Sequence, residues 1–251
     1  MPPDGAGAEP LPLHSPLPLT PQQAGVLLQA VAAASHDLRQ PMHAIGLLVH
    51  ALKARPLDAT SAAIVGQLGA TLAALEHQID DLLDYSRGAT GTLQSQSVPL
   101  RLGELYQRLQ PALQPLAFDR GLDLRWRGAH LRVDADPRLL ERVMRNLIGN
   151  AVRYTDDGGV LVAARRRGTQ VLLQVWDSGV GLREDEVQRL FEPGHRGTAA
   201  ARRPGESRRG VGLGLSIVRQ MVDAMGLGLA LRSTPGRGTV FTVVLPLAAE
   251  P

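Results

Sequence analysis

Between residues 22 and 54 the apolar side chains fall at Leu27, Val31, Ala34, Leu38, Met42, Ile45, Leu48 and Leu52. Steps of three and four draw one stripe along a helix. RPLDAT at 55–60 interrupts the pattern with a proline. Ile64, Leu68, Leu72, Leu75, Ile79, Leu82 and Leu83 then resume it as far as YSRG at 85–88, where Gly88 reads as a C-cap. Two amphipathic helices alone bury too little surface to be stable. The expectation is a helical hairpin that pairs with a second copy of itself, giving an antiparallel four-helix bundle in a homodimer.

Three histidines, His36, His43 and His50, recur every seven residues in this stretch. Seven residues is nearly two turns, so all three share a helix face. Each lies about 10 Å from the next along the axis, too far to share one metal at the bond lengths required. The company of His36 differs from that of the others. Asp37 follows it and Pro41 stands little more than a turn on, whereas His43 and His50 have no following acid and read as solvated surface.

The chain has 251 residues, room for one large domain or two modest ones. Only 3% are aromatic, so the core must be aliphatic, and there are no cysteines. Disulfides and thiolate chemistry are excluded, and a reducing cytoplasm is the expected location. No apolar run approaches the ~20 residues of a membrane span. Residues 1–21 are proline-rich and read as a flexible lead-in without the n- and h-regions of a secretory signal. Arginines cluster at 165–167 and 201–209, but neither aromatic platforms nor a recognition-helix pattern accompany them, so nucleic acid is not expected as a partner.

GATGTLQSQS, within a linker expected at 88–97, separates the hairpin (22–87) from a second unit at 98–249. There, 100–113 reads as a helix, 122–127 and 131–135 as strands, and 136–154 as a long helix with proline at its first position after an aspartate cap. Strands then turn around Arg167–Gly168. A helix at 213–225 and two closing strands complete an α+β layered sandwich with a mixed sheet.

Four stretches of this second unit carry chemistry. NLIGNAVRYT places Asn146 and Asn150 on one helix face, and amide oxygens can ligate Mg²⁺ while leaving its charge to phosphates. DSGVGL ends a strand on Asp177 and follows it with Gly179 and Gly181; a carboxylate held there can accept a bond from an exocyclic amine such as that of adenine. LFEPGHRGTAAARRPGESRRG at 190–210 has the composition of a lid. RGVGLGLSIV sets Gly210, Gly212 and Gly214 before an apolar helix, where backbone can approach anionic oxygen. Each has an ordinary reading alone: a polar helix face, a turn after a strand, a solvated loop, a loop before a helix.

Their order is what changes the reading. The set resembles the ATP-binding domain of sensor histidine kinases: N box (Asn146, Asn150), G1 box (Asp177, Gly179, Gly181), F box (Phe191) and G2 box (Gly210, Gly212, Gly214). SHDLRQP at 35–41 is similar to the H box of the same family. The resemblance spans roughly 22–249 and implies a Bergerat-type ATP-binding fold behind the dimerising hairpin. It further implies ATP and Mg²⁺ as cofactors, with Asn150 on the metal, Asp177 on adenine, Arg153 on phosphate, Tyr154 near the base and Leu213 among the G2 residues. His36 becomes the phosphoacceptor, Asp37 its acid/base partner, and a receiver aspartate on a response regulator the next acceptor. Gln40 stands where many relatives have Thr or Asn, which leaves phosphatase activity open, and the F box lacks a second aromatic. No sensor or receiver domain is evident, so the upstream partner is unknown. Rival readings are a non-signalling ATPase, which would release phosphate without labelling the protein, and a scaffold with a degenerate site, which would bind no nucleotide.

Overall fold

A computed structural model describes residues 38–89, 93–194 and 213–249. The elements are α1 (38–53), α2 (Ala59–Ala89), β1 (Val98–Arg101), α3 (Leu102–Phe118), β2 (Asp123–Arg127), β3 (Arg132–Ala135), α4 (Pro137–Tyr154), β4 (Gly159–Arg167), β5 (Gln170–Asp177), α5 (Glu184–Arg189), α6 (Gly214–Ala224), β6 (Gly228–Thr234) and β7 (Gly238–Pro246). No described helix is long and apolar enough to cross a membrane.

The hairpin uses its apolar stripe in two ways. Met42 packs with Ile79 and Leu83, Gly46 lies against Leu72, and Val49 lies against Gly69. Met42 and Val49 are therefore covered by the hairpin's own second helix. Leu38, Ile45, Leu48 and Leu52 of α1 stay exposed, as do Ile64, Leu68 and Leu75 of α2. Of the described stripe residues of α1 only Met42 is thus covered, and Val49, which the sequence stripe leaves out, completes the covered seam beside an uncovered one. His43 and His50 are exposed, and α1 continues past Pro41 without a break.

Gly88 is not a C-cap: α2 runs on to Ala89. A β-carbon on Gly88 would stand 2.1 Å from Oε1 of Gln220, so the missing side chain lets α2 pass close to α6. Leu82 and Tyr85 of α2 pack against the core of the second unit.

That unit is an α+β sandwich. Its five-stranded sheet has the order β2-β4-β5-β7-β6, with β2 parallel to β4 and every other pair antiparallel. β1 and β3 form a separate antiparallel pair. Strand alternation turns Val162, Leu173, Val175, Phe241 and Val243 to one face. They join Leu109, Met144, Leu147, Ile148 and Met221 of the helices in a single, mainly aliphatic core that also holds Tyr106.

Two elements, β1 and α5, have no counterpart in the sequence reading. α3 also begins two residues later than expected and continues to Phe118 through Pro111 and Pro115. Gln107, Pro111 and Pro115 lie four apart on the exposed side of α3. The carbonyls that each proline fails to bond there face water, which removes much of the cost of an internal proline.

Candidate active site

The site is assembled around the polar edge of α4. Asp136 caps this helix, its Oδ1 accepting from the backbone N–H of Arg138 (2.9 Å) and Leu139 (3.2 Å). Pro137 occupies the first turn, where its missing N–H is no loss. Oδ2 of Asp136 accepts from Gln96 N (2.9 Å), pinning the segment that arrives from α2. Val143, Met144, Leu147, Ile148 and Ala151 are buried on the sheet, which leaves Asn146 and Asn150 half-buried on the opposite edge. Nδ2 of Asn150 donates to Oδ1 of Asn146 (3.2 Å). That bond uses an N–H of Asn150 and leaves its amide oxygen without a partner among the described residues. A neutral hard oxygen is what Mg²⁺ takes from a protein when phosphates supply the charge.

Asp177 closes β5, opposite Thr239 of β7 in the register. Its Oδ1 accepts from Gly179 N (2.9 Å) and Thr239 N (3.1 Å), and Oδ2 accepts from no described residue. Burial raises the Asp177 pKa, and the two backbone donors offset this only in part. One oxygen is fixed and the other is available, so the carboxylate is oriented before any ligand arrives. A β-carbon at Gly179 would meet the Tyr154 carbonyl at 2.4 Å, and one at Gly181 (φ 66°) would meet the Thr234 carbonyl at 2.1 Å. Both glycines are demanded by close backbone packing. Val180 N donates to Tyr154 O (3.3 Å), joining this loop to the end of α4.

α6 completes the convergence. A β-carbon at Gly214, its first residue, would stand 2.7 Å from Asn146 Oδ1. No side chain caps this end, so its first N–H groups remain for an anion. Leu213 is buried, Tyr154 and Phe191 are half-buried with Phe191 packed on the core, and Arg153 is exposed. His36, Asp37, Gly210 and Gly212, with most of the 190–210 stretch, lie outside the described residues. Gln40 is exposed on α1, and the preceding Arg39 pairs with Asp80 of α2.

Thr239 is the site residue that sequence reading misses, because it contributes a backbone N–H from 62 positions away. The available signal was the strand alternation of β7, which sets Thr239 on the same face as Asp177. A cleft of about 190 Å³ lies beside Asn146, lined by Arg142, Arg145, Ile217, Val218 and Met221 together with Asp80 of the hairpin. Asp80 thus brings one residue of the hairpin to the border of this cleft.

Residues 26–91 match the family model of the His Kinase A (phospho-acceptor) domain. Residues 135–249 match the model described as histidine kinase-, DNA gyrase B- and HSP90-like ATPase. The chain belongs to the histidine kinases. The kinase core is 31% identical over 219 residues to sensor histidine kinase AtsR of Burkholderia thailandensis, covering 85% of this chain and 36% of that protein. It is 37% identical over 237 residues to sensor protein KdpD of Mycobacterium tuberculosis, covering 87% and 26%. Among solved structures, full-length ShkA in complex with AMPPNP aligns with a TM-score of 0.68 at 26% identity, over 93% of this chain and 48% of that one. The kinase core thus spans about a quarter to a third of these curated relatives.

Proposed function

We propose that this chain transfers the γ-phosphoryl group of ATP to His36 and hands it on to an aspartate of a response-regulator receiver domain. One observation carries the proposal. An oriented Asp177, the paired Asn146 and Asn150, and the uncapped start of α6 converge in a chain whose phospho-acceptor match contains His36. Similarity to ShkA, crystallised with AMPPNP, supports a nucleotide there.

In this reading Oδ2 of Asp177 takes the adenine amine, while Tyr154 and Leu213 border the base. Gly179 and Gly181 let the backbone close beneath it, and Gly210, Gly212, Gly214 and Arg153 serve the phosphates, with Phe191 at the root of the lid. Asn150 would hold Mg²⁺, which neutralises charge on the phosphates and leaving group. The neutral imidazole of His36 offers its lone pair to the γ-phosphorus. As the nitrogen–phosphorus bond forms, the bond to the β–γ bridging oxygen breaks and ADP leaves. Asp37 orients the ring and receives the proton of the other nitrogen. Attack by the receiver carboxylate then breaks the nitrogen–phosphorus bond, and Gln40 is the candidate for positioning water in any phosphatase reaction.

The exposed seam of α1 and α2 supports a homodimer. We divide the chain into a lead-in (1–21), a dimerisation and phosphotransfer unit (22–87), a linker (88–97) and a catalytic unit (98–249), and place the core in the cytoplasm, where ATP is supplied. The test is incubation with γ-labelled ATP and Mg²⁺. Wild type should acquire acid-labile label and His36→Gln none; equal labelling of both overturns the assignment.

A further inference from the structure

The five-stranded sheet has a second face that the proposed reaction does not use. The register turns Leu161, Leu172, Trp176, Val240 and Val244 away from the helices, and none of them belongs to the hydrophobic core of the unit. Trp176 is 44% exposed. At the centre of this face Nε2 of Gln174 donates to Oγ1 of Thr242 (3.0 Å). One N–H of Gln174 is thus already spent on Thr242, which lowers the cost of covering this pair.

The same alternation gives this face a sharply uneven charge. Arg125 and Arg127 of β2, Arg165 and Arg167 of β4 and Arg232 of β6 all project to it and are exposed. The only acid on these strands with the same orientation is Asp123, which pairs with Arg125. Across the whole chain, 27 basic residues stand against 24 acidic ones, so five against one is a local concentration. An apolar patch that encloses one hydrogen-bonded polar pair and is bordered by charge has the layout of a protein interface, and here the rim is almost entirely positive.

We infer that this outer sheet face docks a protein surface that is acidic at its rim and apolar at its centre. Two copies of this chain cannot meet through it, because arginine would face arginine. One exposed aromatic is a poor stacking platform for single-stranded nucleic acid, which is held by bases laid on several rings. A bilayer is disfavoured because Leu172 is buried and Leu161, Val240 and Val244 are half-buried within the pleat, with no protruding apolar helix on this face among the described residues.

The probe is a synthetic amphipathic peptide with Glu along one edge and Leu along the other, titrated against the full chain while tryptophan emission is read. Peptide binding should blue-shift Trp176 and weaken with added salt. Arg165→Glu combined with Arg232→Glu should weaken it by about tenfold or more, as expected for reversing two rim charges. Trp176→Ala should remove the spectral change. Labelling of His36 by ATP should be the same in wild type and the arginine variant, so failure of docking and failure of the kinase reading are separate results. Equal peptide affinity in wild type and the arginine variant overturns the inference. So does a stronger response to phosphatidylserine vesicles or to oligothymidylate than to the peptide.

Discussion

At the scale of single residues, Asp177 and Asp136 are both held by backbone N–H groups, yet they respond oppositely to pH. Burial dominates at Asp177 and raises its pKa, so in the empty site it takes a proton at higher pH than an ordinary aspartate. Its charged form is therefore a burden to the fold, and that burden grows as pH rises through the raised pKa. Asp177→Asn keeps an oxygen for Gly179 and Thr239 and removes the buried charge, so the empty protein should melt at or above the wild-type temperature at neutral pH. It replaces the second acceptor with a donor facing the adenine amine, so nucleotide affinity should fall at least tenfold in calorimetric titration, as expected for losing a hydrogen bond to a charged group. In wild type, affinity should begin to fall on acidification while ordinary aspartates are still ionised.

Burial also acts on Asp136, but the N–H groups of Gln96, Leu139 and Arg138 together outweigh it, and its pKa is lowered. Its stabilisation is present above the unfolded aspartate pKa, about 4, and is lost as pH falls through the lowered folded value. Asp136→Ala removes the cap of α4 and should cost about 1 to 2 kcal/mol at neutral pH in urea denaturation, with a smaller difference in strong acid.

At the scale of elements, the exposed seam of the hairpin gives the sharpest expectation. Ile45→Asp together with Leu48→Asp places charge on the uncovered stripe and leaves the Met42–Val49 seam alone. Sedimentation should show monomers while nucleotide binding to the catalytic unit persists. Legibility also divides at this scale. α4 is readable because an aspartate–proline start precedes an unbroken helical period, and the β4–β5 turn because Gly168 adopts φ 63° where an L residue resists it. β1 is not readable: four residues including a proline become a strand only because β3 lies opposite, more than 30 positions on. α3 misleads because a proline signals a stop, whereas what decides is which side of the helix it occupies. The site divides likewise: Asp177 announces itself at a strand end, while the Thr239 N–H that orients it exists only once β7 has paired.

At the scale of the molecule, one mainly aliphatic core unites sheet and helices, and Leu173 is fully buried near its middle. Leu173→Ala should destabilise the catalytic unit by about 2 to 5 kcal/mol in denaturant titration, the usual cost of a cavity at such a site. A nucleotide analogue should raise the midpoint in both proteins, because ligand binds only the folded form.

α2 is the longest element among the described residues, 31 residues without interruption, or about 46 Å of rod. One end is stitched to α1 through Ile79 and Leu83, and Leu82 and Tyr85 beside them are seated on the ATPase core. Adjacent residues of a single turn thus face two different bodies. A torque applied to the hairpin therefore reaches the catalytic unit through packed side chains of α2 itself, ahead of the linker that follows it. For the two bodies to part, this shaft must either bend or lift Leu82 and Tyr85 from their sockets.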